Sequence, residues 1–267
     1  MKNVRQARAA LVGVALLGLS SFASAIPTLQ LGIVGGTYDN ISETIIASSN
    51  SFSLYAYLIP DSKNPITDIY TISMAVSPQV HSPMDLGSFT VNGDVIDVTS
   101  GMNYGIPPAD ATIETTPGGD SHDLPTHGVF PTYFTERSFT FSLADKTGKF
   151  NTEDHPSWGP QPGTGMYFKK IDIDVTNLDP NYSIHFDLYN TEKITKTTCT
   201  KKYGREVCTT TPTGELDITD KAPFSHDAQS GPGGGGGPPS ETPEPAPMLL
   251  LGLGLFGLAW MRRKTNL

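Results

Sequence analysis

Between residues 26 and 228 the chain is built of short β-branched and aromatic runs, punctuated by Gly, Pro, Asn or Asp. Runs at 28–34, 51–59, 68–76, 89–98, 137–143, 166–175 and 183–189 have strand composition, because such side chains fit a pleated, half-buried surface. In Ser51-Phe52-Ser53-Leu54-Tyr55-Ala56-Tyr57-Leu58 the residues Phe52, Leu54, Ala56 and Leu58 share one face. In Ser183-Ile184-His185-Phe186-Asp187-Leu188 the residues Ile184, Phe186 and Leu188 do the same, which places His185 on the outward face. Asn92-Gly93 separates Phe89-Thr90-Val91 from Asp94-Val95-Ile96, and Asn-Gly is the pair that a two-residue hairpin turn favours. No stretch of helical period is long enough to form an amphipathic helix. The prediction is an all-β fold, an antiparallel β-sandwich of jelly-roll type. Residues 101–131, rich in Pro, Gly, Asp and Thr, are expected to form a long surface loop.

The only two cysteines, Cys199 and Cys208, lie symmetrically about Tyr203-Gly204. If these two residues form the turn, Lys202 pairs with Arg205, Lys201 with Glu206, and Cys199 faces Cys208 at a non-hydrogen-bonded position. There the Cα atoms lie about 4.5 Å apart, at the short end of what a disulfide accepts. In an exported protein this spacing reads as a bridge that staples a Thr- and Lys-rich hairpin with no apolar face of its own. The rival, a thiolate metal pair, lacks nearby histidines.

The two ends read as addresses. Lys2, Arg5 and Arg8, an apolar stretch at 11–19, and Ala23-Ser24-Ala25 follow the order of a secretory signal peptide over 1–25, with cleavage before Ile26. At the other end, an uncharged run at 248–261 is followed at once by Arg262-Arg263-Lys264, which orients the segment with its far end in the cytoplasm. As a helix it spans roughly 21 Å at about 1.5 Å per residue. A full crossing takes about 20 residues, so a short transmembrane helix that anchors only transiently is expected. The Gly/Pro-rich linker at 229–242 precedes it, and 26–228 is the exported domain.

The whole chain carries a formal charge of −9. Six of its 18 Lys and Arg lie at 2–8 and 262–264 and all 27 acids lie between these two clusters, so the exported part up to residue 247 carries twelve bases and a charge of −15. Such a surface repels nucleic acid and anionic lipid.

Candidate chemistry is sparse. His122, Asp123 and His127 could present two imidazoles and a carboxylate, but Pro125 breaks any regular spacing and polar loop residues are the default. His226-Asp227 is read as ending the last strand through local hydrogen bonds. Asp172, Asp174 and Asp179 are weak calcium candidates; the first two alternate with Ile171, Ile173 and Val175, as solvated strand carboxylates would. No Gly-x-Ser-x-Gly, His-Glu-x-x-His or phosphate loop occurs. No catalytic residue, cofactor or metal is therefore assigned, and the chain is expected not to be an enzyme. Tyr104, Tyr133, Trp158 and Tyr167 are expected in loops, where they could stack on sugars. A carbohydrate-binding module is thus one alternative, and a glycan-active hydrolase with paired carboxylates another.

Pro243-Glu244-Pro245-Ala246, the apolar run and the basic end, occupying 243–267, resemble a PEP-CTERM sorting signal. The resemblance implies cleavage near Pro243, Glu244 and Pro245 by an exosortase of a Gram-negative bacterium. It also implies the export machinery as partner, transient residence in the inner membrane, then release or attachment at the cell surface or matrix alongside exopolysaccharide. Within the domain, Ile26-Pro27-Thr28-Leu29-Gln30-Leu31, the run beginning at Ser51, Gly128-Val129-Phe130-Pro131-Thr132-Tyr133-Phe134, Tyr182-Ser183-Ile184-His185-Phe186-Asp187-Leu188-Tyr189 and Ala222-Pro223-Phe224-Ser225-His226-Asp227-Ala228 resemble choice-of-anchor N surface proteins. That family brings no established activity, so no residue inherits a catalytic role from it.

Overall fold

The computed structural model describes residues 25–203 and 205–231. Residues 1–24 of the expected signal peptide, Gly204, and everything from 232 onward lie outside the described residues. The sorting motif, the apolar run expected to enter the membrane and the basic end therefore lie outside them too. In chain order the strands are β1 (Leu29–Ile33), β2 (Thr37–Asp39), β3 (Thr44–Ile46), β4 (Ser51–Leu58), β5 (Tyr70–Ser77), β6 (Ser88–Val91) and β7 (Asp94–Asp97). They continue with β8 (Asn103–Gly105), β9 (Thr132–Phe139), β10 (Lys146–Gly148), β11 (Gly165–Asp174), β12 (Ser183–Lys202), β13 (Arg205–Lys221) and β14 (Asp227–Gln229). Among the described residues a single 3-10 turn, Phe224–His226, leads into β14.

The strands form two sheets. The first runs β1-β4-β11-β6-β7 with β10 beside β11; the second runs β2-β3-β14-β12-β5-β9-β8 with β13 beside β12. All pairings are antiparallel except β14 with β3, which makes the second sheet mixed. Alternation decides what each face buries. Leu54, Ala56 and Leu58 of β4, with Leu29, Leu31 and Ile33 of β1, meet Ile72, Met74 and Val76 of β5 and Ile184, Phe186 and Leu188 of β12. Each of these side chains larger than Ala contributes about 1.5–3 kcal/mol on removal from water. The β6–β7 hairpin pairs Val91 with Asp94, and its turn residues Asn92 and Gly93 have φ of 52° and 89°. Positive φ at both central positions is the type I′ geometry that Asn-Gly favours.

Three expectations need correction. The strand expected at 137–143 begins earlier, at Thr132, because β9 pairs with β5 from Phe134↔Ala75 to Phe139↔Tyr70. The run at 183–189 continues to Lys202. The stretch 101–131 is no open surface loop. After β8 it folds back over the outer face of the second sheet, where Ile106, Leu124, Val129 and Phe130 pack on Ala75, Phe134 and Tyr189. Backbone bonds from Ile218 to His122 O (3.1 Å) and from Ala111 to Gly214 O (3.3 Å) fasten this lid to β13. The outer face of the first sheet is covered in part as well, by Phe150 against Tyr57 and Met166.

Candidate functional site

The lid turns the outer face of the second sheet into a second interior, and four ionisable side chains converge there. His185 and Asp187 are two apart on β12, so both point away from the Phe186 core. Pairing of β12 with β14 aligns Phe186 with Ala228, and the same register carried one step on sets Asp187 opposite Asp227. His127 descends from the lid. Its ring stacks on Phe224 at 4.2 Å and meets the edge of Phe130 at 5.8 Å, and its Nδ1 lies 3.2 Å from Pro125 O. All four residues are buried.

The distances are short. The two Nε2 atoms of His127 and His185 lie 3.0 Å apart. His127 Nε2 is 3.2 Å from Asp187 Oδ1 and 3.7 Å from Asp227 Oδ2. His185 Nε2 is 3.5 and 3.6 Å from the same oxygens. Ser73 of β5 donates to the other Asp187 oxygen at 3.0 Å. Asp187 Oδ1 and Asp227 Oδ2 are buried without a hydrogen-bond partner. In the bare cluster, burial opposes charge on His185, but the Asp187 and Asp227 carboxylates outweigh it and raise its pKa to about 10. Burial likewise opposes charge on Asp187, yet His127 and His185 hold it well below the usual carboxylate range. Asp227, penalised by burial and then by the Asp187 charge, rises to about 7.

His185 corrects an expectation. Its parity on the strand is as read from the alternation, but the face is covered, not solvated. His226-Asp227 does not simply end a strand: Asp227 joins the cluster, and His226 is buried with Nε2 2.7 Å from Asn151 Oδ1. His122 and Asp123 stay apart from His127. His122 pairs with Asp217 at 3.1 Å, and Asp123 accepts the Asp120 N–H at 2.9 Å. The calcium candidates are not gathered. Asp172 binds Lys170 (2.8 Å) and Ser53 (2.8 Å), Asp174 binds Ser51 (2.7 Å), and Asp179 accepts the Asn181 N–H (2.9 Å). Nothing in local spacing links 127 to 185, 187 and 227; the one local signal is His-x-Asp within a strand.

Cys199 and Cys208 are bonded, with Cα atoms 4.0 Å apart in a register that pairs Lys201 with Glu206 and Lys202 with Arg205. Of the aromatics considered for sugar stacking, Tyr104, Tyr133 and Tyr167 lie on strands and not in loops. Tyr133 is buried and Tyr104 packs on it at 5.2 Å. Trp158 is exposed and stacks on His155 at 3.7 Å.

The fold and the stapled hairpin describe a two-sheet β protein of an oxidising compartment. Its address is specific: residues 241–264 match the PEP-CTERM protein-sorting motif. That signal makes the chain an exosortase-sorted protein, exported through the membrane to the cell surface. No curated protein matches the chain.

Proposed function

We propose that this chain is a non-enzymatic surface or matrix protein of a Gram-negative bacterium, retained among exopolysaccharide after its C-terminal tail is removed. The observation that carries the reading is the sorting motif at 241–264, preceded by the Gly/Pro-rich linker that would hold the folded domain away from the membrane. The signal peptide, with cleavage at Ala23-Ser24-Ala25, supplies export, and Pro243-Glu244-Pro245 supplies the processing site. The −15 charge of the exported part keeps it soluble and favours neutral glycans or cations over nucleic acid. The test is intact mass, under denaturing conditions, of protein recovered from the cell surface with and without the exosortase. A species running from Ile26 to near Pro243–Pro245 is expected only with the enzyme. A mature protein that keeps 248–267 overturns the sorting reading.

A carbohydrate-binding role is the second reading, and exposed Trp158, held flat by His155, favours it. Retention on isolated exopolysaccharide that Trp158→Ala abolishes is its signature, and equal retention of the variant contradicts it.

A further inference from the structure

We infer that His127, His185, Asp187 and Asp227 form a closed tetrahedral site for a divalent transition-metal ion, zinc by its chemistry, which locks the lid and the β14 segment onto the second sheet. The inference is independent of the sorting reading.

Four observations carry it. Five ligand-to-ligand separations fall between 3.0 and 3.7 Å, and the four atoms lie within 4.8 Å of one another. Their mean is about 3.4 Å, and a regular tetrahedron of that edge has its centre about 2.1 Å from each vertex, the zinc–imidazole and zinc–carboxylate bond length. Next, Asp187 Oδ1 and Asp227 Oδ2, the carboxylate oxygens that face the imidazoles, are both buried without a hydrogen-bond partner. A proton shared between the two imidazoles leaves both of them bare. A dication satisfies both oxygens and both ring nitrogens at once and cancels the two carboxylate charges. Third, the outer contacts are those of a metal site. Pro125 O beside His127 Nδ1 directs the Nε2 lone pair inward, and Ser73 fixes the second oxygen of Asp187. Finally, an N2O2 donor set with no thiolate, held at tetrahedral spacing, suits zinc better than Cu(II), which seeks tetragonal geometry.

The ligands come from three separate places: the lid, β12 and β14. With all four positions taken by protein and the side chains 2–7 % exposed, no open position is left for a reacting water. The ion therefore holds structure and does not catalyse. The other two groups of possible ligands among the described residues are unlike this one. Cys199 and Cys208 are consumed by their bond, and Asp120, His122 and Glu215 are partly or fully exposed.

The test uses the full chain, purified, stripped with chelator and titrated with Zn2+. One equivalent is expected to bind, with Tm rising by roughly 10 °C on reloading. X-ray absorption should show only N and O neighbours near 2.0–2.1 Å, and Co2+ should give the intense visible bands of a tetrahedral centre. His127→Ala removes a ligand carried by the lid alone, so the sandwich still folds; it should lose the equivalent and the Tm shift together. His122→Ala, the other lid histidine, should lose neither. A stripped chain that takes up no zinc and melts unchanged overturns the inference, as does uptake that His127→Ala leaves intact.

Discussion

The two halves of β12 are one continuous strand in opposite surroundings. From Ser183 to Asn190 every residue is buried, with the sandwich core under one face and the lid over the other; from Thr191 to Lys202 nearly every residue is exposed. The inner half has β5 along one edge and β14, then the base of β13, along the other. The outer half has only β13, and a lone two-stranded ribbon is marginal in water. Each half carries its own cross-link, and each link suits its setting. The buried half gathers His and Asp where water is excluded and charge must be compensated. The exposed half uses Cys199–Cys208, which needs no core. The chemistry of a strand residue is thus set by what covers its face, and only afterwards by which face it is on.

The largest expected contrast comes from matched truncations. Phe186→Ala empties a site between the sheets and should cost about 3–5 kcal/mol in urea unfolding. Thr198→Ala on the exposed arm should stay within about 0.5 kcal/mol, and equal costs would erase the distinction between the halves. Next, Cys199→Ser with Cys208→Ser should lower the local stability of the arm by roughly 3 kcal/mol, the chain-entropy value for so short a loop. Amide exchange across 195–213 would read this. Global Tm should move by about 1 °C or less, because the arm shares no core with the sandwich; a collapse in Tm would mean that it does.

A smaller effect is expected at Tyr189, whose hydroxyl donates to Glu136 beneath the lid. Tyr189→Phe should cost about 1.5–3 kcal/mol, the value of a hydrogen bond to a charged group. Burial raises the Glu136 pKa, while the Tyr189 and Ala109 bonds pull it back. A carboxyl raised in the folded state binds its proton more tightly than in the unfolded chain. It therefore adds stability below its unfolded pKa and loses that contribution as pH rises through the folded value. Relative to Glu136→Gln, the wild type should gain in urea midpoint from pH 7 to pH 5, and a fall over that range would contradict the assignment. Smallest of all, Lys201→Ala opposite Glu206 should change stability by only a few tenths of a kcal/mol, as exposed pairs do.

Much of this architecture was legible in the sequence, for local reasons. Alternation in 51–58 and 183–188 placed the core faces, Asn92-Gly93 set one hairpin, and the symmetry of the cysteines about Tyr203-Gly204 implied the register seen in the arm. The candidate metal centre was not legible. A period of two separates His185 from Phe186 but cannot reveal that a Pro- and Gly-rich segment 60 residues earlier returns to cover the His185 face. Asp227 reaches the cluster through β14, three residues long and parallel to β3, a pairing with no local signature. Lid residues such as Leu124, Val129 and Phe130 were the available hint, since an open loop has no need of them.

Hydrogen exchange on the intact chain, once with chelator and once with reductant, tests the contrast most directly. Chelation should expose amides in 122–130, 183–190 and 224–229 while leaving 196–202 and 205–210 unchanged, and reduction should do the reverse. If chelation leaves the inner half of β12 and its lid as protected as before, no metal holds them, and the central claim fails.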